Sequence, residues 1–259
     1  AHIQVDECGG PTQNIGSTLV PLPAPDGKLT PAIIEHQLTF IGNVHHTQPR
    51  VISVSQSTEL GTIYSRKELK ALADFAHTND MYLHVDGARI SNAVAALGCT
   101  LKEATADCGV DIMSFGGTKN GLMIGEAILI FNKELRKHAP FYHKQTAQLF
   151  SKNRFIAAQF KALLSNDLWK RMAAHSNRMA QLLANETGNL EGVTITQKVQ
   201  ANAVFAIIPK HAVEPLRSAF RFYDWNAATG ELRWMCSFDT TEEDVYEFVK
   251  KLKELIAAT

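Results

Sequence analysis

Two charged residues at the ends of predicted strands are the strongest candidates for catalysis in this sequence. Asp86 ends the segment MYLHVD (81–86), and Lys119 lies in a glycine-flanked turn directly after the segment DIMSFGG (111–117). Ligands of α/β sheets collect at the carboxyl ends of the strands. The acid and the amine are therefore expected to face one crevice.

The chemistry that needs such a pair is that of pyridoxal phosphate. A lysine amine forms an imine with the aldehyde of this cofactor, and a carboxylate keeps the pyridine nitrogen protonated so that the ring can accept electrons. Glycines beside Lys119 would let the backbone approach a cofactor closely. The spacing alone leaves a second interpretation open, in which Lys119 is a solvated loop residue and Asp86 caps the following helix.

A third strand end adds hydrogen-bonding groups to the predicted crevice. The segment VISVSQ (51–56) is short and β-branched, which is typical of a buried strand. It ends in Gln56, and further polar residues follow up to Glu59. These side chains are expected beside the acid and the amine.

The elements that position these residues alternate between strand and helix in the first half of the chain. Strands are predicted at 51–56, 81–86, 111–117 and 127–131, and helices at 29–40, 65–80, 90–98 and 101–109. Thr30 and Ser65 are the expected N-caps of the first two helices. The alternation predicts a large α/β domain over residues 1–135, with a mostly parallel sheet flanked by helices.

The pattern changes after about residue 132, since nearly all of the chain up to residue 187 is predicted to be helical. Thereafter strands are expected at 193–199, 203–209 and 231–238, and helices at 211–220 and 241–257. Thr241 and Asp244 have the spacing of a capping box at the start of the last helix. Residues 136–259 are therefore expected to form a helical connection and a small C-terminal α+β domain.

Composition excludes several classes of partner. Lys+Arg and Asp+Glu are both 26 of 259 residues. This balance argues against nucleic acid or a membrane surface as the main partner, because both attract a net basic face, and it suits a protein that self-associates. No apolar run is long enough to cross a bilayer and no secretory signal is visible, so a cytoplasmic protein is expected.

The cysteines point to no metal centre. Their spacings match no zinc pattern, and reduced, mostly buried thiols are expected at Cys8, Cys99, Cys108 and Cys236. The sequence therefore predicts no metal ligands.

Two longer sequence motifs make the functional hypothesis more specific. HVDGARISNA (84–93) and SFGGTKNGLMIGEA (114–127) resemble the threonine aldolase family, within the β-eliminating lyase group of fold-type-I pyridoxal-phosphate enzymes. The resemblance continues through AHIQVDECGGP at the start and RWMCSFDTTEEDV near the end, and covers essentially the whole chain. It implies a lyase that cleaves the Cα–Cβ bond of L-threonine, allo-threonine or another β-hydroxy-α-amino acid to glycine and an aldehyde.

The resemblance also implies roles for particular residues. Lys119 would form the Schiff base with pyridoxal phosphate, Asp86 would pair with the pyridine nitrogen, and His2 would stack on the ring. Arg89 and Arg233 would hold the substrate carboxylate, with Arg89 also close to the cofactor. Members of the family assemble as dimers of dimers, and a homodimer or homotetramer is expected here.

The sequence departs from the family in two ways. Glu59 stands where many members carry a histidine near the substrate hydroxyl, and it is expected to accept the hydroxyl proton or to be an exposed turn residue. The phosphate-binding loop is expected upstream of Ala1, so that the N-terminal part of the large domain is expected to be missing from this chain. Among the other histidines, which are expected to be surface or structural residues, His84 shares a strand face with Asp86 and could orient it.

Two alternative functions remain open. The same lysine and acid serve β-elimination, racemisation and transamination. A shortened, non-catalytic paralogue would explain the expected lack of a phosphate loop, but it would not need Lys119, Asp86, Arg89 and Arg233 together.

Overall fold

The computed structural model describes residues 1–258 and contains two four-stranded sheets. The first sheet has the order β1-β2-β3-β4, formed by Val51–Ser55, Tyr82–Gly87, Ile112–Gly116 and Glu126–Ile130. Strands β1, β2 and β3 run parallel, and β4 pairs antiparallel with β3. The predicted mostly parallel sheet is confirmed.

The second sheet is antiparallel and has the order β5-β6-β8-β7. Its strands in chain order are Thr194–Ile195, Ala203–Ile207, Tyr223–Asn226 and Glu231–Met235. The strand expected over 193–199 is therefore only two residues long. The third strand, β7, was not predicted from the sequence.

Helices pack against both sheets. They are α1 to α12, formed by His2–Val5, Gly10–Ile15, Pro31–Leu38, Arg66–Thr78, Ile90–Leu97, Leu101–Ala104, Lys133–Arg136, Ala139–Gln145, Asn153–Leu164, Leu168–Thr187, Lys210–Ala219 and Glu242–Ala257. The region predicted to be helical up to residue 187 is broken into four helices, α7 to α10. None of the helices in residues 1–258 is long and apolar enough to cross a membrane.

Several helices have N-terminal side-chain caps at the residues where the sequence predicts caps. Thr30 accepts a hydrogen bond from the Ile33 backbone at the start of α3. Ser65 forms a capping box at α4, and Thr241 forms one with Asp244 at α12. Each cap satisfies backbone N–H groups that the first helical turn leaves without partners.

Two hydrophobic cores lie against the two sheets. The first contains Leu83, Val85 and Met113 from the parallel sheet, all fully buried, and the second contains Val204 and Leu232 from the antiparallel sheet. Helix α10 joins them, because its first turn packs in the first core and its last turns pack in the second. The boundary between residues 135 and 136 stays a prediction.

Glycine is required where the carboxyl ends of β2 and β3 approach each other. A Cβ added to Gly87 would lie 2.2 Å from the Ser114 carbonyl oxygen, and one added to Gly116 would lie 2.2 Å from the Ala88 carbonyl oxygen. These two glycines therefore allow close contact between the backbones at the ends of β2 and β3. Gly116 also lies just before the turn that contains Lys119. The sequence had suggested that the glycines beside Lys119 make room for a cofactor.

The substitution Gly87→Ala tests this contact. The overlap with the neighbouring strand must be relieved by separating β2 from β3, so we expect the free energy of unfolding to fall by about 2 kcal/mol or more. Urea denaturation followed by circular dichroism measures the change. Gly10→Ala is the control, because its added Cβ comes no closer than 4.0 Å to another side chain. Equal stability of Gly87→Ala and the native protein would contradict the account.

Candidate active site

A cavity lies where the carboxyl ends of the parallel strands face the antiparallel sheet. Residues at the ends of β1 and β2 line one side, and residues of β6, β7 and β8 line the other. The six side chains to which a chemical role was assigned all border this cavity: His2, Glu59, Asp86, Arg89, Lys119 and Arg233. The structure therefore brings them together, and their chemical roles remain predictions.

The cavity has two adjoining chambers. The first contains Glu59 and both arginines, and the second has a volume of about 570 Å³. This volume lies within the range of about 300–1,000 Å³ that is common for small-molecule sites. His2, Asp86 and Lys119 border both chambers, so the acid and the amine lie where the chambers meet.

Asp86 occupies the middle of a polar row across the sheet. It pairs in register with Ser55 of β1 and Ser114 of β3, so the three side chains lie on one face. The Ala88 backbone N–H donates to Asp86 Oδ1 at 2.9 Å, and Ser114 Oγ lies 3.4 Å from the same oxygen. Oδ2 has no hydrogen-bond donor within residues 1–258. The carboxylate is thus oriented through one oxygen and offers the other to a ligand.

His84 is a structural residue, as expected for the histidines outside the site, and it does not orient Asp86. Its Nδ1 lies 2.8 Å from Ser53 Oγ, and the groups that hold Asp86 are the Ala88 N–H and the Ser114 hydroxyl. Burial lowers the pKa of His84, against the opposing effect of Asp86. The imidazole is therefore neutral at pH 7 and places no positive charge behind the acid.

The turn that carries Lys119 is fixed on both sides. Glu126, the first residue of β4, accepts hydrogen bonds from the backbone N–H groups of Gly117 at 3.1 Å and Thr118 at 3.2 Å. On the other side, the buried amide of Asn120 donates to a carbonyl at the start of α10 at 2.9 Å. These contacts set the position of the lysine backbone without involving its amine.

The surroundings of Lys119 favour a neutral amine. Desolvation and then the positive charge of Arg89 lower the pKa of Lys119, whereas the carboxylates of Asp86 and Glu126 oppose the shift and Arg233 adds to it. The net direction is downward. Because only the neutral amine is nucleophilic, this shift increases the reactive fraction at neutral pH.

Arg89 and Arg233 bring two positive charges to the first chamber without a counter-charge in contact. Within residues 1–258 neither guanidinium forms an ion pair or a hydrogen bond, and Arg233 Nε is buried without a partner. Burial lowers the pKa of both arginines, and the charge of Arg233 lowers that of Arg89 further. Paired guanidinium groups in this state favour a carboxylate ligand, which each can bind with two parallel hydrogen bonds.

Glu59 is half-buried and points one oxygen at the protein. Its Oε1 accepts hydrogen bonds from the His2 backbone N–H at 2.8 Å and from Ser55 Oγ at 2.7 Å. Its Oε2 has no donor within residues 1–258, so it is available to a ligand in the first chamber. The His2 imidazole is exposed and lies 2.7 Å from Glu7 Oε1.

Two side chains differ from what the sequence predicts: Gln56 lies outside the cavity, and Trp225, which was not predicted, lines it. Gln56 is fully buried, and its amide bonds to the backbone N–H and carbonyl of Tyr64, so it does not face the cavity. Trp225 lines the first chamber, but its strand was not predicted. The turn residues NAATG before the strand ELRWM were the available signal, since they are typical of a loop between paired strands.

Comparison with known proteins shows the family to which the chain belongs. The family model of beta-eliminating lyases matches residues 1–210. Low specificity L-threonine aldolases from Pseudomonas sp. (strain NCIMB 10558) and Pseudomonas aeruginosa are each 42% identical over 260 residues, covering 100% of this chain and 75% of theirs. The solved structure of Leishmania major threonine aldolase matches with a TM-score of 0.91 and 31% identity, over 99% of this chain and 75% of that one. The chain belongs to the beta-eliminating lyase family.

Proposed function

We propose that this protein is a pyridoxal-phosphate-dependent aldolase, which cleaves the Cα–Cβ bond of L-threonine, allo-threonine or another β-hydroxy-α-amino acid to glycine and an aldehyde. The observation that carries the proposal is one cavity bordered by an amine, an acid and two unpaired guanidinium groups. The names of the Pseudomonas relatives support the same reaction.

The donor set fits pyridoxal phosphate. Lys119 would bind its aldehyde, the free Oδ2 of Asp86 would hold its pyridine nitrogen protonated, and His2 would lie against its ring. When bound, the cofactor supplies an electron sink for the pair released at Cα. Asp86 suits its part because two donors already fix Oδ1, so that the second oxygen is presented without loss of side-chain freedom.

Arg89 and Arg233 would bind the substrate carboxylate. A carboxylate between them would supply the negative charge that neither guanidinium contacts within residues 1–258, and it would offset their mutual repulsion. Holding the carboxylate also fixes the rotation about Cα. These two side chains therefore decide which bond at Cα is aligned for cleavage.

Glu59 would accept the proton of the β-hydroxyl group at Oε2. As the Cα–Cβ bond breaks, the β-carbon and its oxygen become the aldehyde, and the electron pair left at Cα is finally protonated to give glycine. Glu59 is suited to this step because His2 N–H and Ser55 Oγ both hold its other oxygen. The free oxygen lies in the same chamber as the two arginines.

Self-association is part of the proposal. Helices α8 and α9 and strand β4 carry large apolar side chains that are more than half exposed, namely Ile128, Phe141, Tyr142 and Phe155. Exposed apolar groups of this kind favour contact with another chain. They support the homodimer or homotetramer expected from the family.

Product analysis tests the reaction. We expect the protein, supplied with pyridoxal phosphate, to release glycine and the matching aldehyde from L-threonine, allo-threonine and phenylserine. β-Elimination would instead give a keto acid and ammonia, racemisation would give the D-amino acid, and transamination would move the amino group to the cofactor. A preparation that retains no bound cofactor after excess pyridoxal phosphate is removed, and that forms no product, would support the non-catalytic alternative and contradict the proposal.

The substitution Glu59→Gln tests the proton acceptor. The amide retains an oxygen for His2 N–H and Ser55 Oγ but is not basic, so we expect kcat for threonine cleavage to fall by about 10²–10⁴-fold with little change in KM. Steady-state kinetics with detection of the aldehyde measures both constants. Glu35→Gln, at an exposed position of α3, is the control. Activity of Glu59→Gln within about two-fold of the native value would exclude this role.

Two substitutions with opposite effects test the electrostatics of Lys119. Arg89→Met removes a positive charge that disfavours protonation, so we expect the pKa of Lys119 to rise. Glu126→Gln removes a negative charge that favours protonation, so the pKa should fall further. Isotope-labelled reductive methylation of lysines, followed by an NMR titration before cofactor is added, measures both. Shifts in the same direction would contradict the charge arrangement.

A further inference from the structure

Strand β7 contains an irregularity that directs Trp225 to the cavity. Asp224 and Asn226 pair with consecutive residues of β8, so Trp225 between them is an additional residue in the strand. Such bulges redirect side chains and are frequent beside active sites. In this protein the redirected ring lines the first chamber together with Arg233.

The Trp225 ring provides a platform for the Arg233 guanidinium. The Arg233 Cζ atom lies 5.0 Å from the centre of the ring, within the range of a cation–π contact. The ring is itself supported by Phe205, with 5.2 Å between the ring centres and an angle of 74° between their planes. Phe205 is buried and pairs in register with Arg233, so the platform belongs to the sheet that carries the arginine.

In the part of the chain that the structure describes, no hydrogen bond holds the Arg233 guanidinium in place. Within residues 1–258 Arg233 forms no ion pair, and its buried Nε has no partner. A long side chain without such contacts loses rotamer freedom when a ligand fixes it, and that loss weakens binding. A ring that restricts the guanidinium beforehand reduces this cost.

We propose that Trp225 is a positioning residue for the substrate carboxylate, because its ring holds the Arg233 guanidinium ready for a bidentate contact. The inference rests on the proposed function, which assigns the carboxylate to Arg89 and Arg233. Trp225 acts through the arginine and does not touch the reacting bond. Its removal therefore weakens substrate binding more than it slows the chemical step.

Three variants test the inference in the protein loaded with pyridoxal phosphate. Trp225→Leu removes the aromatic face, and we expect KM for L-threonine to rise about ten-fold with a smaller change in kcat. Trp225→Phe keeps an aromatic face and should restore KM to within about three-fold of the native value. Tyr246→Leu, at an exposed aromatic of α12, is the matched control and should change neither constant.

A double-substitution cycle with Arg233→Met shows whether Trp225 acts through the arginine. If it does, Trp225→Leu adds nothing to the rise in KM once Arg233 is removed. Titration of the protein without cofactor with 3-hydroxybutanoate, followed by NMR, gives a readout independent of turnover. This probe has the carboxylate and the hydroxyl but no amine, and its Kd should rise in Trp225→Leu and return towards the native value in Trp225→Phe.

The outcomes separate this inference from the proposed function. If Arg233→Met changes neither KM nor the Kd of 3-hydroxybutanoate, the arginine does not bind the carboxylate, and both proposals fail at this point. If Arg233→Met weakens binding but Trp225→Leu does not, the positioning role alone is wrong. Independent, additive effects of the two substitutions would also overturn it. Thermal melting identifies any variant whose loss is a loss of folding.

Discussion

The close backbone contact between β2 and β3 at their carboxyl ends is the constraint on which the site depends. Gly87 and Gly116 permit it, because neither position has space for a Cβ. The contact fixes Asp86 beside Ser114 and places the turn with Lys119 immediately beyond. Small residues at two strand ends thus determine how an acid and an amine meet, although neither glycine takes part in the chemistry.

The charges at the cavity explain what it can hold. Within residues 1–258, Asp86 and Glu59 each have one oxygen held by the protein and one that is free, whereas Arg89 and Arg233 have no counter-charge in contact. A protonated ring nitrogen can bind the free oxygen of Asp86, a hydroxyl group that of Glu59, and a carboxylate the two guanidinium groups. A β-hydroxy-α-amino acid bound to a pyridine cofactor has all three of these ligand groups. A ligand that lacks one of them leaves a partly buried charge of the protein without a partner.

The parallel sheet and the strand-end residues Asp86, Lys119 and Glu59 were predictable, because motifs at strand ends are local and sheet topology then determines where they meet. His2 and Arg233 were candidates only through the family resemblance. Contacts between distant segments were not predictable. His84 bonds to Ser53 rather than Asp86, and Gln56 turns inward to Tyr64, since side-chain partners depend on neighbouring strands. Trp225 was missed although the strand Tyr223–Asn226 alternates between apolar and polar residues, because a strand of only four residues gives a short pattern.

Chemical trapping can identify the lysine that bonds to pyridoxal phosphate. The loaded protein is reduced with borohydride, which makes the bond permanent, and digested for mass spectrometry. We expect the phosphopyridoxyl group on the peptide that contains Lys119, and we expect Asp86→Asn to retain this site with an altered absorption spectrum. Modification of a different lysine, or of several surface lysines to similar extents, would contradict the role of Lys119.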